Sequence, residues 1–175
     1  MKIAIGSDAA GFELKEFISA KLQEAGHTVT DLGTRDKADE VKYMYAADRV
    51  AKAVQSGEAE RGMVFCGTGM GVSICANKHK GVYCAVVESQ WAAYNARFIN
   101  NANVLAMGER IIAPVMAWDI AQTFLNTEFH QGANETRSAI LGSLFDCLQK
   151  AEEDWFRANR RGELYGKLWS LSDGA

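Results

Sequence analysis

The sequence predicts an α/β fold: a Rossmann-like, doubly wound, five-stranded parallel sheet with a long C-terminal helix. Three observations carry that expectation. Short apolar runs alternate with amphipathic stretches along most of the 175 residues, the pattern of βαβ units. Polar segments follow the apolar runs at 7–8, 66–73 and 108–110, where an open α/β sheet gathers its binding residues. The single proline, Pro114, stands where a helix would open.

The elements follow in order. Lys2 to Gly6 reads as the first strand. Residues 12–25 read as a helix, because Phe12, Leu14, Phe17, Ile18 and Leu22 recur at helical spacing and Gly26 supplies the stop. A second strand at 28–32 and a polar loop at 33–42 lead into a helix near 45–56. The third strand is 62–65, and a helix begins around Gly71 and reaches Asn77. A fourth strand at 82–87, a helix at 90–98 and a fifth strand at 104–107 complete the sheet. Pro114 opens a helix to about Leu125, and a polar connection at 126–134 precedes a long helix over roughly 135–159. Residues 1–159 are expected to form one domain. The extension 160–175 carries Leu164, Tyr165, Leu168, Trp169 and Leu171, and is expected to pack on the domain or on a partner subunit.

Composition excludes several functions. A net charge of −3 argues against nucleic acid and anionic membrane surfaces as partners. No apolar run approaches the ~18 residues of a membrane span, and the first residues enter a strand without a signal-peptide pattern, so a cytoplasmic location is expected. The four cysteines, at 66, 75, 84 and 147, form no CxxC pair, so neither a zinc site nor a disulfide framework is expected. Cys75, Cys84 and Cys147 read as small core residues. His27, His79 and His130 fall in or beside turns and read as surface residues, with no Cys–His pair spaced for nucleophilic catalysis.

Cys66 differs, because it opens the run Cys66-Gly67-Thr68-Gly69-Met70-Gly71-Val72-Ser73 at a strand end. Glycines at alternate positions let the backbone bend and present bare N–H groups to something small and negative. The loop lacks the G-x-G-x-x-G order, follows the third strand and has no acidic ribose partner, so it is no dinucleotide fingerprint; no Gly-Lys-Ser/Thr follows, so it is no P-loop. What remains is a base or nucleophile beside an anion-stabilising loop. Thr68 either bonds the thiolate or serves the turn. Asp8 either contacts a substrate hydroxyl or caps the helix near Phe12. Arg110 and Arg137 offer planar forks for phosphate or carboxylate, although Arg137 taken alone reads as a solvated helix residue.

With these residues assembled, the chain resembles the family of ribose-5-phosphate isomerase type B and galactose-6-phosphate isomerase over about residues 1–150. The resemblance rests on Ile5-Gly6-Ser7-Asp8, on the Cys66–Ser73 run with Ala76-Asn77-Lys78, on Asn100-Asn101-Ala102-Asn103-Val104-Leu105, and on Gly108-Glu109-Arg110. It implies a Rossmann-like fold and a homodimer, in some members assembled further to a tetramer, with the active site shared between subunits. It implies an aldose–ketose isomerase of sugar phosphates with no metal or organic cofactor. By the same resemblance Cys66 would move a proton between C1 and C2 of the open-chain sugar, Thr68 would help ionise it, and the backbone of Gly67, Gly69, Gly71, Val72 and Ser73 would hold the enediolate. Asp8, Arg110 and Asn100 would contact the sugar, Asn100 from the other subunit. Asn134 and Arg137 would face the phosphate.

The departures from the family pattern bear on the substrate. Ala9 and Ile99 stand where the family usually has histidines, one on the phosphate and one assisting ring opening. Ala133-Asn134 replaces an Arg-His pair, and Tyr43-Met44-Tyr45 lacks the usual proline. The expected substrate is a small sugar phosphate, a pentose or tetrose phosphate, and a short or already acyclic one, such as a tetrose or tetrulose phosphate, fits these losses best. The alternatives are one subunit of a heteromeric hexose-6-phosphate isomerase and a non-catalytic sugar-phosphate-binding homologue.

Overall fold

The computed structural model describes residues 1–38 and 40–160. Five parallel strands form one sheet in the order β2-β1-β3-β5-β4. They are β1 (Lys2–Ser7), β2 (Thr28–Asp31), β3 (Arg61–Cys66), β4 (Cys84–Val86) and β5 (Val104–Gly108). The helices are α1 (Phe12–Glu24), α2 (Tyr43–Gln55), α3 (Met70–Ala76), α4 (Gln90–Phe98), α5 (Pro114–Asn126) and α6 (Glu135–Arg160), and a 3-10 turn, Ala9–Gly11, joins β1 to α1. The doubly wound five-stranded sheet expected from the alternating pattern is therefore present.

Strand alternation sorts the core into two layers. Ile3, Ile5, Met63, Phe65, Leu105 and Met107 point to one face and bury Leu14, Ile18 and Leu22 of α1 with Ala117, Ile120 and Phe124 of α5. Ala4, Val64, Cys66, Val104 and Ala106 point to the other, against Ala47, Val50 and Ala51 of α2 and Val72 and Ala76 of α3. Small residues dominate the second layer, so α2 and α3 lie close on the sheet. Gly6 makes this possible: a Cβ there would stand 3.0 Å from the Val50 side chain and 3.2 Å from the Ala46 carbonyl.

Several boundaries differ from expectation for local reasons. β3 runs one residue further than the apolar count suggests, because Cys66 pairs with Gly108 of β5, so the thiol is the last residue of the strand rather than the first of a loop. β4 is only three residues long, since it is an edge strand that pairs with β5 alone. Cys75 and Cys84 are half-buried, and Cys147 is exposed on α6, which corrects the expectation of three core cysteines. The histidines are partly buried rather than exposed. His79 in particular lies 2.9 Å from Asp48 Oδ1 through Nε2 and 3.2 Å from the Ala76 carbonyl through Nδ1, tying the end of α3 to α2.

The chain divides into two compact units, Met1–Gly132 and a second beginning at Ala133. Within the described residues the second is essentially α6, capped where Asn134 Oδ1 accepts the Arg137 N–H at 2.8 Å. The expectation for the apolar tail lies outside the described residues. Among those described, no helix is long and apolar enough to cross a membrane.

One charge lies inside the first unit. Lys15 of α1 is fully buried; its ammonium pairs with Asp31 at the end of β2, donates to the Thr34 carbonyl at 2.6 Å, and reaches Glu16 at 2.6 Å. It lies 5.1 Å from the Phe12 ring centroid as well. These bonds fix the turn after β2, and that turn supports β1, because the Thr34 N–H donates to the Ser7 carbonyl at 2.9 Å. Lys15→Met leaves Asp31 and the Thr34 carbonyl without their cation, so it should lower stability by about 3 kcal/mol in urea unfolding. An unchanged midpoint would show that this buried cation does not hold the turn.

Candidate active site

The carboxyl ends of β1, β3 and β5 meet at one point. A Cβ on Gly67 would lie 3.5 Å from the Arg110 side chain and 3.6 Å from the Ala10 Cβ, so residues following all three strands touch there. Backbone packs directly on backbone around it. A Cβ on Gly11 would stand 2.6 Å from the Cys66 nitrogen, and one on Gly108 would stand 2.6 Å from the Thr68 carbonyl carbon. Each of these glycines is required by close approach rather than by an unusual φ.

Two backbone bonds lock the β3 and β5 ends together: Glu109 N–H to the Cys66 carbonyl at 3.0 Å, and Arg110 N–H to the Gly67 carbonyl at 3.1 Å. The chain then turns at Gly69, whose φ of +79° lies in the left-handed region that glycine occupies without strain. This turn aims the Gly69 N–H at the Cys66 sulfur, 3.1 Å away. The thiol is 6% exposed.

Thr68, the side chain expected to bond the thiol, is exposed, and its Oγ1 accepts the Met70 N–H at 3.4 Å. The donor that reaches the sulfur is thus the amide of Gly69, a residue that side-chain reasoning cannot single out. Ser73 is buried and turned inward: its hydroxyl donates to the Met70 carbonyl at 2.9 Å and its N–H to the Gly69 carbonyl at 3.2 Å, closing the first turn of α3. The amides of Gly71 and Val72 precede that first helical bond and have no acceptor within the helix.

Asp8 caps the 3-10 turn rather than α1 itself, its Oδ1 accepting from Ala10 and Gly11 N–H, each at 3.0 Å. Burial raises its carboxyl above the usual aspartate value, outweighing the lowering pull of the Gly11 and Ala10 bonds, and the nearby Glu40 charge adds to the rise. Arg110 is exposed and lies along Gly67.

Asn100 lies elsewhere. It follows α4 and precedes β5 at the edge where Gly62 pairs with Val104, whereas Cys66 lies at the edge where it pairs with Gly108. The strand length between those edges is about 13 Å, so one protomer does not bring Asn100 to the thiol. Its turn is held from inside by Arg97, a residue the sequence reading passed over. The Arg97 guanidinium donates to Asn101 Oδ1 at 2.9 Å, the Ala102 carbonyl at 2.7 Å and the Thr127 carbonyl at 3.2 Å, and it is 3% exposed. Burial brings its pKa down to about 10. Asn101 sits at φ 50°, a left-handed position that asparagine tolerates. Asn134 and Arg137 belong to the second unit, where the one caps the other's helix. Among the described residues, no group of three or more His, Cys, Asp or Glu could hold a metal ion.

The profile of the Ribose/Galactose Isomerase family matches residues 3–141. The chain is 44% identical over 157 residues to a 4-deoxy-4-sulfo-D-erythrose isomerase of Clostridium sp. (strain MSTE9), covering 90% of this chain and 99% of that protein. It is 37% identical over 142 residues to a D-erythrulose-4-phosphate isomerase of Pectobacterium atrosepticum, covering 81% and 93%. The structure of ribose-5-phosphate isomerase B from Clostridium thermocellum superposes with a TM-score of 0.75 at 42% identity, over 86% of this chain and 99% of that one.

The raised Asp8 carboxyl has a consequence for stability. Between the unfolded and folded values the native state binds the extra proton, so stability falls as pH rises through that window and stays reduced above it. Asp8→Asn keeps an oxygen for the Ala10 and Gly11 amides and removes the charge. It should abolish this part of the pH dependence and leave the protein at least as stable as the parent at pH 7, by urea unfolding across an acid-to-neutral series. A loss exceeding about 1 kcal/mol at pH 7, the cost of a lost cap, would contradict the assignment.

Proposed function

The chain belongs to the ribose/galactose isomerase family, and from that membership we propose that it interconverts the aldose and ketose forms of a small sugar phosphate with Cys66 as the base. The observation that carries the residue assignment is the Cys66 sulfur at the junction of three strand ends, with the Gly69 N–H fixed on it at 3.1 Å. The thiolate takes the proton from the carbon beside the carbonyl, leaving an enediolate; the hydroxyl proton passes from its oxygen to the former carbonyl oxygen, and the thiol returns the first proton to the neighbouring carbon. The charge that develops is on oxygen, and preorganised amides stabilise it without rearrangement. The backbone of Gly67, Gly71 and Val72 supplies them, the Gly69 amide being spent on the sulfur, and Ser73 holds the turn that aims them. Thr68 stands at the mouth of the loop to receive a substrate hydroxyl. Asp8 faces the sugar hydroxyls, and Arg110 takes the terminal anion.

The substrate has four carbons in this reading. Two relatives are named for four-carbon substrates carrying a terminal sulfonate or phosphate. Ala9 and Ile99 leave no imidazole to grip phosphate or open a sugar ring, and a tetrose phosphate cannot close the furanose that a pentose phosphate forms. The catalytic module is residues 1–159, working in the cytoplasm as a homodimer or a tetramer built from it. The placement of Asn100 at the sheet edge away from Cys66 supports a second copy supplying it. Exposed Tyr43, Met70 and Ile74 give that copy an apolar surface around the loop.

Cys66→Ala should lower kcat on a tetrose or tetrulose phosphate by about 10²–10⁴-fold, the range for removing a general base. Turnover equal to the parent across a panel of tetrose, pentose and hexose phosphates would overturn the assignment. Mixing Cys66→Ala with Asn100→Ala subunits should restore turnover that neither variant has alone. Failure to restore it after demonstrated subunit exchange would place both residues in the same protomer's site.

A further inference from the structure

We propose that Glu109 is a positioning residue of this site: its carboxylate caps α1 from across the sheet while its backbone holds Cys66, so that the Asp8 turn and the thiol loop move as one body. The proposal rests on the Cys66 assignment above and adds a residue that assignment does not include.

Helix α1 has no cap of its own. Its N-cap residue is Gly11, with no side chain to accept a hydrogen bond. The amide that an N-cap serine or aspartate would take belongs to the third helical residue, here Leu14. Glu109 takes it instead, Oε2 accepting the Leu14 N–H at 3.0 Å from 95 residues away in sequence. A carboxylate at that point also faces the positive end of a 13-residue helix. Glycine is nevertheless required at position 11, because a Cβ there would run into the Cys66 backbone at 2.6 Å. Close packing therefore removes the local cap, and Glu109 replaces it from the turn after β5.

The contacts form a closed ring. Cys66 accepts the Glu109 N–H at 3.0 Å, the Glu109 carboxylate holds Leu14, α1 carries Gly11 one turn back, and Gly11 packs on the Cys66 nitrogen. Asp8 joins the ring through the Gly11 and Ala10 amides, and Arg110 through the Gly67 carbonyl. Glu109 is half-buried, and its Oε2 is committed to the Leu14 amide. Its effect on chemistry runs through the distance between the thiol and the residues that hold the sugar. A displacement of about 1 Å there costs on the order of 10²-fold in rate.

The test compares Glu109→Ala with Glu109→Gln, whose amide oxygen still accepts the Leu14 N–H. Backbone hydrogen–deuterium exchange is read over residues 11–15 and 66–71, and kcat and KM are measured on erythrulose 4-phosphate. Glu109→Ala should speed exchange in both segments together, leave α4 and α5 protected as in the parent, and lower kcat by about 10–100-fold with KM changed less than about threefold. Glu109→Gln should restore parental exchange and most of kcat. Parental exchange at 66–71 in Glu109→Ala, or a Gln variant as impaired as Ala, would overturn the proposal. If the parent protein turns over no sugar phosphate, the isomerase reading fails, while the exchange data still decide whether Glu109 couples the two segments.

Discussion

The site depends on one constraint: backbone must touch backbone at the carboxyl edge of the sheet. Gly11 lies against the Cys66 nitrogen and Gly108 against Thr68, at separations that leave no room for a Cβ. Only such contact lets the turn after β1 and the turn after β5 close over the loop after β3. The left-handed turn at Gly69, the amide on the Cys66 sulfur and the approach of Arg110 to Gly67 follow from that closure. Parallel strands all end on the same side, so their loops compete for the space above the sheet. Here glycine resolves the competition.

Closure has consequences for the elements around it. A glycine start leaves α1 without a side-chain cap, and the acceptor comes from Glu109. The turn after β2 must be held to support β1, and a buried lysine holds it. The Asp8 carboxyl spends one oxygen on the 3-10 turn and carries an ionised form that burial disfavours. In each case a local rule yields to the packing at this edge, and a partner distant in sequence or a shifted carboxyl compensates.

The central strands β1, β3 and β5 were legible in the sequence because each is a short apolar run between two helical layers, α1 because its apolar residues recur at helical spacing, and α5 because Pro114 opens it. Cys66 stood out in the sequence because glycines surround it. Less could be read where the cause is long-range or carried by backbone. Nothing local announces that Lys15 is fully buried, since its partners Asp31 and Thr34 come from another element. Thr68 drew attention as a hydroxyl near the thiol, yet an amide reaches the sulfur, and amides are invisible in composition. Asp8 was marked as either a cap of the helix near Phe12 or a substrate contact, and the structure has it capping the 3-10 turn before that helix. Its capping of the 3-10 turn could not be separated from capping of α1, because both begin within four residues of it. Asn100 could be named from the family pattern, but its edge of the sheet needed the strand register.

These features converge on proton transfer at a carbon flanked by oxygens. A thiol fixed by a backbone donor, unspent amides beside it and an arginine along the loop suit an enediolate better than a covalent intermediate, which would need room around a sulfur that is 6% exposed. The most direct measurement runs the conversion of erythrulose 4-phosphate in D2O and reads the sugar carbons by NMR, with parent and Cys66→Ala proteins in parallel. The account predicts solvent deuterium at C1 or C2 with the parent and none with Cys66→Ala. Conversion by the parent with no deuterium in either product or recovered substrate would point to a hydride passed within the sugar, and would contradict it.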